Sequence, residues 1–347
     1  MLDCLIIGQG IGGTCLAFAL HEKGYNINII NDDSLPSASK VAAGLIQPIT
    51  GKYLTSHQLI NDNFTLLIDF YKNIESKLNH SIIKSLKTYL YLTSDQEKIV
   101  KKKSKNILFK KRLTKSITSP LLLSLEKKQY ELSDVFLIDT QRLLSETKNY
   151  FLKNNAYINT RFDFKNIKYH NNYCSYNNIK TRHIILCLGS ELYNLNFMTP
   201  DQFNVVKGDV LILEKQNHRQ NFILQTTKWF VPTNNNQFKF GATYSHEQTC
   251  MPSQTSYKTL LNSAKDFKDF YYKVICIQSG KRLFSKNKLP KMGFMSLESH
   301  LGVFSAFGSK GFSFAPILAT KWASEFPNIP TSLNDFLCYG KQGFRYP

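Results

Sequence analysis

The feature that most constrains the fold is the glycine-rich loop Gly8-Gln9-Gly10-Ile11-Gly12-Gly13, close to the start of the chain. It lies between the apolar run CLIIG, which predicts a short buried strand, and GTCLAFALHEKG, whose apolar residues recur at helical spacing. A second apolar run, NINII, predicts a strand that ends at Asn31. A strand–loop–helix–strand unit of about 30 residues is the context in which such a loop binds a dinucleotide.

Each glycine of this loop has its own expected role. Gly8 permits the tight turn after the strand, Gly10 lets the backbone approach a pyrophosphate, and Gly13 lets the helix pack close to the strand. The N-terminus of the helix offers free N–H groups and a partial positive charge to the phosphates. The loop therefore predicts a dinucleotide cofactor.

The end of the second predicted strand departs from the usual pattern, which places an acid there to hold the ribose hydroxyls. The best-aligned position holds Asn31, and Asp32 follows it. Either side chain could reach a ribose hydroxyl, and Asn31 would do so without repelling a 2′-phosphate. The sequence leaves both residues open as ribose ligands.

Length and composition are those of a globular protein with two domains or one large one. The chain has 347 residues and no apolar run long enough to span a membrane. The first apolar run is short and contains Asp3, so we interpret it as a strand and not as a signal peptide. Seven scattered cysteines without a CxxC pair favour a reducing cytoplasm, and the histidines show no metal-ligand spacing. We expect a cytoplasmic protein without a metal site.

The chain is strongly basic, with a formal net charge of +19. Nine basic residues and no acid lie in residues 98–116, KIVKKKSKNILFKKRLTKS. This segment is typical of a surface that binds an anionic partner such as RNA. A second interpretation is codon bias, because the chain is also rich in Asn, Ile and Tyr, as expected for an A+T-rich gene, and this interpretation is the simpler one.

A second glycine turn lies near the other end of the chain, in LGVFSAFGSKGFSFAPILATKWASEF, residues 301–326. It predicts a strand, a turn from Gly308 to Gly311 and a helix. We expect this helix to return to the first domain, where its dipole faces another part of the same cofactor. No second GxGxxG occurs, which argues against a flavoenzyme that also binds a pyridine nucleotide.

With these motifs in order, the chain resembles the FAD-dependent D-amino acid oxidase superfamily, in the branch of glycine oxidase, sarcosine oxidase and related amine oxidases. The resemblance extends over nearly the whole chain. It rests on the opening loop together with SKVAAGL (39–45), CLGS (187–190), VKGD (206–209), FGAT (240–243), GKR (280–282) and GSKGF (308–312). Leu283 stands where the family has proline after the arginine.

The resemblance implies an α/β fold in which two domains are interleaved in sequence. A Rossmann-like FAD-binding domain is expected from residues 1–80, 135–198 and 283–347. A substrate domain with a mainly antiparallel sheet is expected from residues 81–134 and 199–282.

The resemblance also implies the residues that contact the cofactor. The expected FAD ligands are Gly8, Gly10, Ile11, Gly12, Gly13, Asn31, Asp32, Ser39, Lys40, Ala43, Gly44, Leu45, Gly189, Gly308, Ser309, Lys310, Gly311 and Phe312. Sarcosine-oxidase relatives attach the flavin to a cysteine soon after the arginine turn, but the corresponding stretch here, LFSKNKLPKMGF, has none. We therefore expect non-covalent FAD.

Four residues are expected to act in catalysis. Arg282 would bind a substrate carboxylate as a bidentate pair, or else cap a surface turn. Trp229 would lie on the substrate face, or else in the core. Tyr244 would lie on the substrate face, or else pack within the sheet. Lys310 would stabilise negative charge on the flavin pyrimidine, or else be solvated at a helix start. Lys207 is interpreted only as a charge at the start of a strand.

Two functions remain open on this resemblance. The first is FAD-dependent oxidation of a C–N bond in a small amine or amino acid, by hydride transfer to flavin N5 and hydrolysis of the imine, with oxygen as the expected acceptor. The second is a tRNA-modifying oxidase that removes a carboxymethyl group from a modified wobble uridine, with tRNA bound by segment 98–116. A flavoprotein without turnover, or one that reduces an acceptor other than oxygen, is also compatible with the sequence.

Overall fold

The computed structural model describes residues 1–116, 128–195, 203–215, 221–234, 236–267, 272–295 and 300–327. The remaining parts of the two predicted domains, and therefore the end of the predicted first domain from residue 328 onward, lie outside the described residues.

The strands of the described residues come in chain order and are mostly short. They are β1 (Leu2–Ile7), β2 (Ile27–Asn31), β3 (Leu45–Ile46), β4 (Ile49–Thr50), β5 (Thr55–Ser56), β6 (Ile83–Ser85), β7 (Lys87–Leu92), β8 (Leu113–Lys115), β9 (Lys128–Leu132), β10 (Phe136–Ile138), β11 (Tyr157–Asn159), β12 (Ile167–Tyr169), β13 (Cys174–Tyr176), β14 (Ile179–Leu186), β15 (Phe203–Lys215), β16 (Phe222–Gln225), β17 (Trp229–Pro232), β18 (Gln237–Gly241), β19 (Tyr272–Ser285), β20 (Lys291–Phe294) and β21 (Leu301–Ser305).

The α-helices alternate with these strands in the first part of the chain and close the described chain at its end. They are α1 (Ile11–Glu22), α2 (Ala38–Val41), α3 (Gln58–Asp62), α4 (Phe64–Leu78), α5 (Ser94–Lys103), α6 (Ile107–Arg112), α7 (Thr140–Lys153), α8 (Gln254–Ala264) and α9 (Gly311–Glu325). None of the helices in the described ranges is both long and apolar enough to cross a membrane.

The first large sheet has a parallel centre. Strands β11, β2, β1, β14 and β21 pair in parallel in that order, and the antiparallel strands β12, β13 and β20 extend it. Strands β1 and β2 are neighbours because β1, α1 and β2 form the parallel crossover unit that the glycine loop predicts. The predicted Rossmann-like part of an α/β fold is confirmed.

The second large sheet is antiparallel except for one pair of strands. Its order is β19-β15-β18-β17-β16-β7-β9-β8, and only β16 and β7 run parallel. Its strands come from residues 87–132 and 203–285, whereas those of the first sheet come from residues 2–31, 157–186 and 291–305. Because the two sheets take their strands from alternating parts of the chain, we propose that the two domains are interleaved with the boundaries expected from the sequence.

The main core joins the two ends of the described chain. Helix α9 packs against α1, and its Trp322 is fully buried among residues that include Phe18, Phe294 and Phe304. This packing confirms that the helix after the second glycine turn returns to the first sheet. It also brings Gly308–Phe312 to the glycine loop at the N-terminus of α1, where Ile11 and Gly311 meet.

Candidate functional site

The glycine loop leaves the N-terminus of α1 open. Gly8 has a φ of +99°, which an L-residue rarely adopts, and turns the chain sharply after β1. Gly10 is the N-cap of α1 and has no side chain with which to cap the helix. The first N–H groups of a helix have no intrahelical acceptor, and here Ser39 Oγ accepts from Ile11 N at 3.0 Å. The loop therefore presents backbone donors to an anion.

The glycines of the loop differ in what surrounds them. A Cβ at Gly13 would lie 3.0 Å from the carbonyl carbon of Gly8 and closer still to its oxygen, and a Cβ at Gly12 would lie 2.9 Å from the ring of Phe307. A Cβ at Gly10 would meet only Ser39 Oγ, at 3.2 Å. Gly12 and Gly13 are thus needed for packing, whereas Gly10 lies where a ligand could approach the backbone.

The end of β2 lies beside this loop. Asn31 Oδ1 accepts from Gln9 N at 2.8 Å, and Asn31 Nδ2 donates to Asp33 Oδ1 at 2.8 Å. Asp32 instead accepts from Ser34 N and Oγ. Asn31 is thus the one of the two predicted ribose ligands that contacts the glycine loop.

Asp33 is a functional candidate that the sequence reasoning missed. It accepts from Lys148 Nζ at 2.5 Å and from Tyr157 OH at 2.6 Å. Burial alone would raise the pKa of Asp33, but hydrogen bonds from Lys148, Tyr157 and Asn31 outweigh it and lower that pKa. An ionised carboxylate therefore stands at the edge where the fingerprint expects an acid, two positions later than the aligned residue.

A cavity of about 310 Å³ lies between the glycine loop, α2, the second sheet and the start of α9. It is lined by twelve of the predicted site residues: Ile11, Ser39, Ala43, Gly44, Leu45, Trp229, Arg282, Gly308, Ser309, Lys310, Gly311 and Phe312. Residues that lie more than 250 positions apart in the chain thus form one site.

The other predicted site residues lie outside this lining. Gly8, Gly10, Gly12, Gly13 and Asn31 belong to the adjoining loop and the end of β2, as described above. Lys40 is exposed, Tyr244 is 66% exposed, and Gly189 follows β14 with a φ of +55°. Residue Cys187 of the same segment contacts the glycine loop, because a Cβ on Gly8 would lie 2.7 Å from its carbonyl oxygen.

One wall of the cavity is the segment from Ala38 to Leu45, which includes α2. Lys239 of β18 holds this wall from behind, because its buried Nζ donates to the carbonyl oxygens of Lys40 at 3.1 Å and Ala42 at 2.7 Å. Burial lowers the pKa of Lys239 to about 8. The sequence reasoning missed Lys239; its only signal was a lysine within the apolar run FKFG.

Another wall is formed by the turn Gly308–Lys310 and the first residues of α9. Burial lowers the pKa of Lys310, which lines the cavity beside the uncapped start of that helix. His57 lies near this lysine, and burial together with the charge of Lys310 lowers the pKa of His57 to about 4. At neutral pH the histidine is therefore uncharged and adds no positive charge to this wall.

Arg282 approaches the cavity from β19. A Cβ on Gly208 of the adjacent strand β15 would lie 3.2 Å from Arg282 Cζ and closer to Nη2, and Nη2 donates to Thr243 O at 3.5 Å. Burial lowers the pKa of Arg282, and interaction with Tyr244 opposes that shift. The guanidinium is thus packed on the backbone of the cavity wall and does not cap a surface turn.

Trp229 lies at the start of β17, where it pairs with Gly241 of β18. A Cβ on Gly241 would lie 3.2 Å from the indole Cη2 atom, so the absence of a side chain there makes room for the ring. The indole is partly exposed and lines the cavity; it is not buried in the core.

Lys207 differs from its interpretation in the sequence analysis. It is not a solvated charge at the start of a strand: it lies within β15 and is fully buried, with its Nζ 2.6 Å from Glu247 Oε2. The sequence did carry a signal, because Lys207 and Asp209 interrupt the apolar run VVKGDVLIL.

The residues present fit an anionic dinucleotide such as FAD. A side chain at Gly10 would meet only Ser39 Oγ, and Gly10 itself has no side chain to cap the helix behind it. The adjoining cavity is large enough for a planar ring system of the kind that ligand pockets enclose. No group of three or more His, Cys, Asp or Glu side chains that could hold a metal ion occurs among the described residues.

The chain matches a family model and solved structures over nearly its full length. The model of the FAD dependent oxidoreductase family matches residues 3–324. Glycine oxidase from Bacillus cereus ATCC 14579 has 18% sequence identity and a TM-score of 0.75, with 93% of this chain and 94% of that chain covered.

Two further solved structures have the same fold. Iminodiacetate oxidase from Chelativorans sp. BNC1 has 14% identity and a TM-score of 0.79, with 95% of this chain and 97% of that chain covered. L-α-glycerophosphate oxidase from Mycoplasma pneumoniae, whose structure has FAD bound, has 16% identity and a TM-score of 0.72, with 95% and 96% covered. By the extent of the family match, this chain belongs to the FAD-dependent oxidoreductase family that includes the D-amino acid oxidases.

Proposed function

We propose that this protein uses FAD to oxidise the C–N bond of a small amine or amino acid that carries a carboxylate. The observation that supports the proposal most directly is the charge of the cavity. Arg282 and Lys310 are the ionisable side chains among its lining residues, and both are cations. An anionic group on the substrate is therefore favoured, and an ammonium group is disfavoured.

Arg282 would bind the carboxylate. Its planar guanidinium can form two parallel hydrogen bonds to the two carboxylate oxygens, which a lysine cannot do. Packing against Gly208 and the hydrogen bond to Thr243 O restrict the orientation of the guanidinium before substrate arrives. Trp229 would cover one side of the bound substrate.

The substrate amine would react in its neutral form. Among the described lining residues there is no Asp, Glu or His to accept a proton, so the amine must lose its proton to water before or during binding. When bound, FAD supplies the hydride acceptor. Loss of a hydride from the substrate carbon would turn the neutral amine into an iminium ion, and water would hydrolyse that ion to a carbonyl compound and an ammonium ion. Oxygen is the proposed final acceptor.

Lys310 would act on the cofactor, in addition to its share in the positive charge of the cavity. It lies beside the uncapped start of α9, and its own positive charge adds to that of the helix dipole. A fixed positive charge there would stabilise negative charge that develops on the flavin pyrimidine during reduction.

The names of two structural relatives suggest which amino acids and amines to test as substrates. Glycine oxidase and iminodiacetate oxidase are among the structures that share this fold. The experiment is anaerobic bleaching of the flavin absorbance by glycine, sarcosine, iminodiacetate, and D- and L-amino acids. Each acid is paired with the amine that lacks its carboxylate, for example sarcosine with dimethylamine. We expect bleaching by one or more acids and none by the paired amines; equal bleaching by both would refute the role of the carboxylate.

A second candidate function is oxidation of a modified wobble uridine in tRNA. The observation in its favour is the position of segment 98–116. Seven of its lysines are exposed: Lys98, Lys101, Lys102, Lys105, Lys110, Lys111 and Lys115. Lys103 of this segment donates to the carbonyl oxygens of Tyr53 and Leu54, in the hairpin β4–β5 whose Thr50 and Gly51 line the cavity. A polyanion on these lysines would lie near the cavity.

The test of this candidate uses the same bleaching assay with tRNA that carries the modified uridine. A variant with Gln at Lys101, Lys102, Lys105, Lys110 and Lys111 leaves Lys103 in place because Lys103 supports the hairpin. If these lysines bind RNA, the plot of log K for tRNA binding against log salt concentration should become less steep in this variant. The slope should change by about 0.7–0.9 for each phosphate that the protein no longer neutralises. Bleaching by free amino acids but not by tRNA, with an unchanged slope, would exclude the candidate.

A further inference from the structure

The strongest unexplained feature outside the cavity is a fully buried lysine directly behind it. Lys207 Nζ lies 2.6 Å from Glu247 Oε2, 2.5 Å from Met251 O and 3.7 Å from Asp209 Oδ2. A buried ammonium group is costly unless it is paired and hydrogen-bonded. All three partners are oxygens, and two of them belong to residues 242–251, which we call the strap.

The strap passes next to Arg282. Its first residue, Ala242, lines the cavity, and Lys228 Nζ donates to Ala242 O at 2.6 Å. The next residue, Thr243, provides the carbonyl oxygen that accepts from Arg282 Nη2. The start of the strap therefore sets the position of the arginine that would bind the substrate carboxylate.

Strand β15 connects the buried lysine with this arginine. Side chains alternate across a strand, so Lys207 and Asp209 point to one face while Gly208 lies against Arg282 on the other. The strap is paired with this strand by Lys207 N to Ser245 O at 2.9 Å and by Thr243 N to Asp209 O at 3.1 Å. The far end of the strap is held by the Lys207 side chain, through Glu247 and Met251.

We infer that Lys207 is a positioning residue for substrate binding: its contacts with Glu247 and Met251 fix the strap, and the strap with Gly208 fixes the orientation of the Arg282 guanidinium. This inference rests on the proposed function, in which Arg282 binds the substrate carboxylate. Lys207 is not among the residues that line the cavity, so it would act on binding through Arg282.

A purely stabilising role makes a different prediction. Removing one partner of a buried ion pair destabilises a protein, because the other charge stays buried without compensation, and here Lys207→Met would leave the buried Asp209 in that state. If the role of Lys207 is only to stabilise the fold, Lys207→Met lowers the melting temperature and leaves KM unchanged. If Lys207 positions the strap, the same change releases Glu247 and Met251, loosens Thr243, and weakens substrate binding while the cofactor stays bound.

The test uses Lys207→Met in the FAD-loaded protein with the carboxylate substrate found by the bleaching assay. We expect KM to rise about tenfold, the scale of one charge-assisted hydrogen bond, with kcat and FAD content nearly unchanged. Lys207→Arg, which keeps a buried cation with donors, should restore most of the binding. An unchanged KM, or a loss in kcat alone, would overturn the inference.

Arg282→Met provides the matched background. If Lys207 acts through Arg282, Lys207→Met should raise KM no further in that background; an equal rise there would overturn the inference. If Arg282→Met alone leaves KM unchanged, the proposed role of Arg282 fails, which is a different result from failure of the Lys207 inference.

A readout independent of activity is cleavage by chymotrypsin after Tyr244, which lies in the strap and is 66% exposed. We expect faster cleavage in Lys207→Met than in the wild-type protein and a wild-type rate in Lys207→Arg.

If Lys207→Met does not fold, Glu247→Ala tests the same contact from the other partner, whose carboxylate side chain is 42% exposed. A wild-type cleavage rate together with a wild-type KM in Glu247→Ala would overturn the inference.

Discussion

Two separate variants of the glycine loop, Gly13→Ala and Gly10→Ala, should separate the effect of a methyl group on packing from its effect on cofactor binding. At Gly13, the new Cβ would lie 3.0 Å from Gly8 C, closer to Gly8 O, and 3.4 Å from Cys187 Cβ. Carbon contacts are normally about 3.5–4.0 Å, and the nearest atoms are backbone, so α1 would have to move away from β1. Overpacking of this kind costs about 1–3 kcal/mol.

Gly10→Ala is the matched change in the same loop. Gly10 has φ −79° and ψ −165°, which alanine adopts freely, and its Cβ would meet only Ser39 Oγ at 3.2 Å. The free energy of unfolding should therefore fall by less than about 1 kcal/mol. The methyl group would, however, occupy the space through which a pyrophosphate approaches the backbone.

Thermal unfolding of both variants, with and without added FAD, measures the two effects. FAD at 1,000 times its Kd should stabilise a binding-competent protein by about 4 kcal/mol. We expect FAD-free Gly10→Ala to melt like the wild type but gain little from FAD, and Gly13→Ala to melt earlier yet retain the gain. Wild-type FAD affinity in Gly10→Ala, or a wild-type melting temperature in FAD-free Gly13→Ala, would refute this reasoning.

Three further predictions concern other parts of the site and the core. Arg282→Lys should raise KM for the substrate by an amount equivalent to about 1.5–3 kcal/mol, with FAD content unchanged; wild-type kinetics would exclude the bidentate contact. Acid or heat should release all FAD into the supernatant, and flavin absorbance in the washed precipitate would contradict non-covalent binding. Burial lowers the pKa of His183 to about 4, so between pH 6.5 and 4 the unfolded chain binds this proton and the folded protein does not. The free energy of unfolding should therefore decrease as the pH is lowered through this range. After allowance for partial exposure, this decrease should be about 1–2 kcal/mol. Urea unfolding at several pH values should show a smaller decrease in His183→Asn and the wild-type decrease in the exposed control His170→Asn.

The backbone of the site could be predicted because it follows from local patterns. The loop Gly8–Gly13 needs residues without side chains, and β1 and α1 show the spacing of a buried strand and of a helix that packs on it. The turn Gly308–Lys310 is similar, because a glycine with a φ of +59° precedes a helix start. Such features are recognisable in a sequence because each one depends on residues that are close in the chain.

The polar contacts behind the site could not be predicted, because they join residues that are distant in the chain. Lys239 holds the carbonyl oxygens of residues 40 and 42, and Lys207 holds Glu247. A lysine on a strand has the same letter whether it is solvated or buried, and only the arrival of its partners decides which it is. The same reason explains why Asp33 was missed: Lys148 and Tyr157 reach it from α7 and β11.

The joining of the two ends of the described chain has a consequence for synthesis on the ribosome. The cavity needs Ile11 and the turn Gly308–Lys310 together, and the first sheet needs β21 beside β14. A nascent chain that ends before residue 301 therefore lacks one wall of the cavity and a central strand, and α1 has no α9 to cover it. We therefore expect the protein to capture FAD only after nearly all of the described chain has been translated.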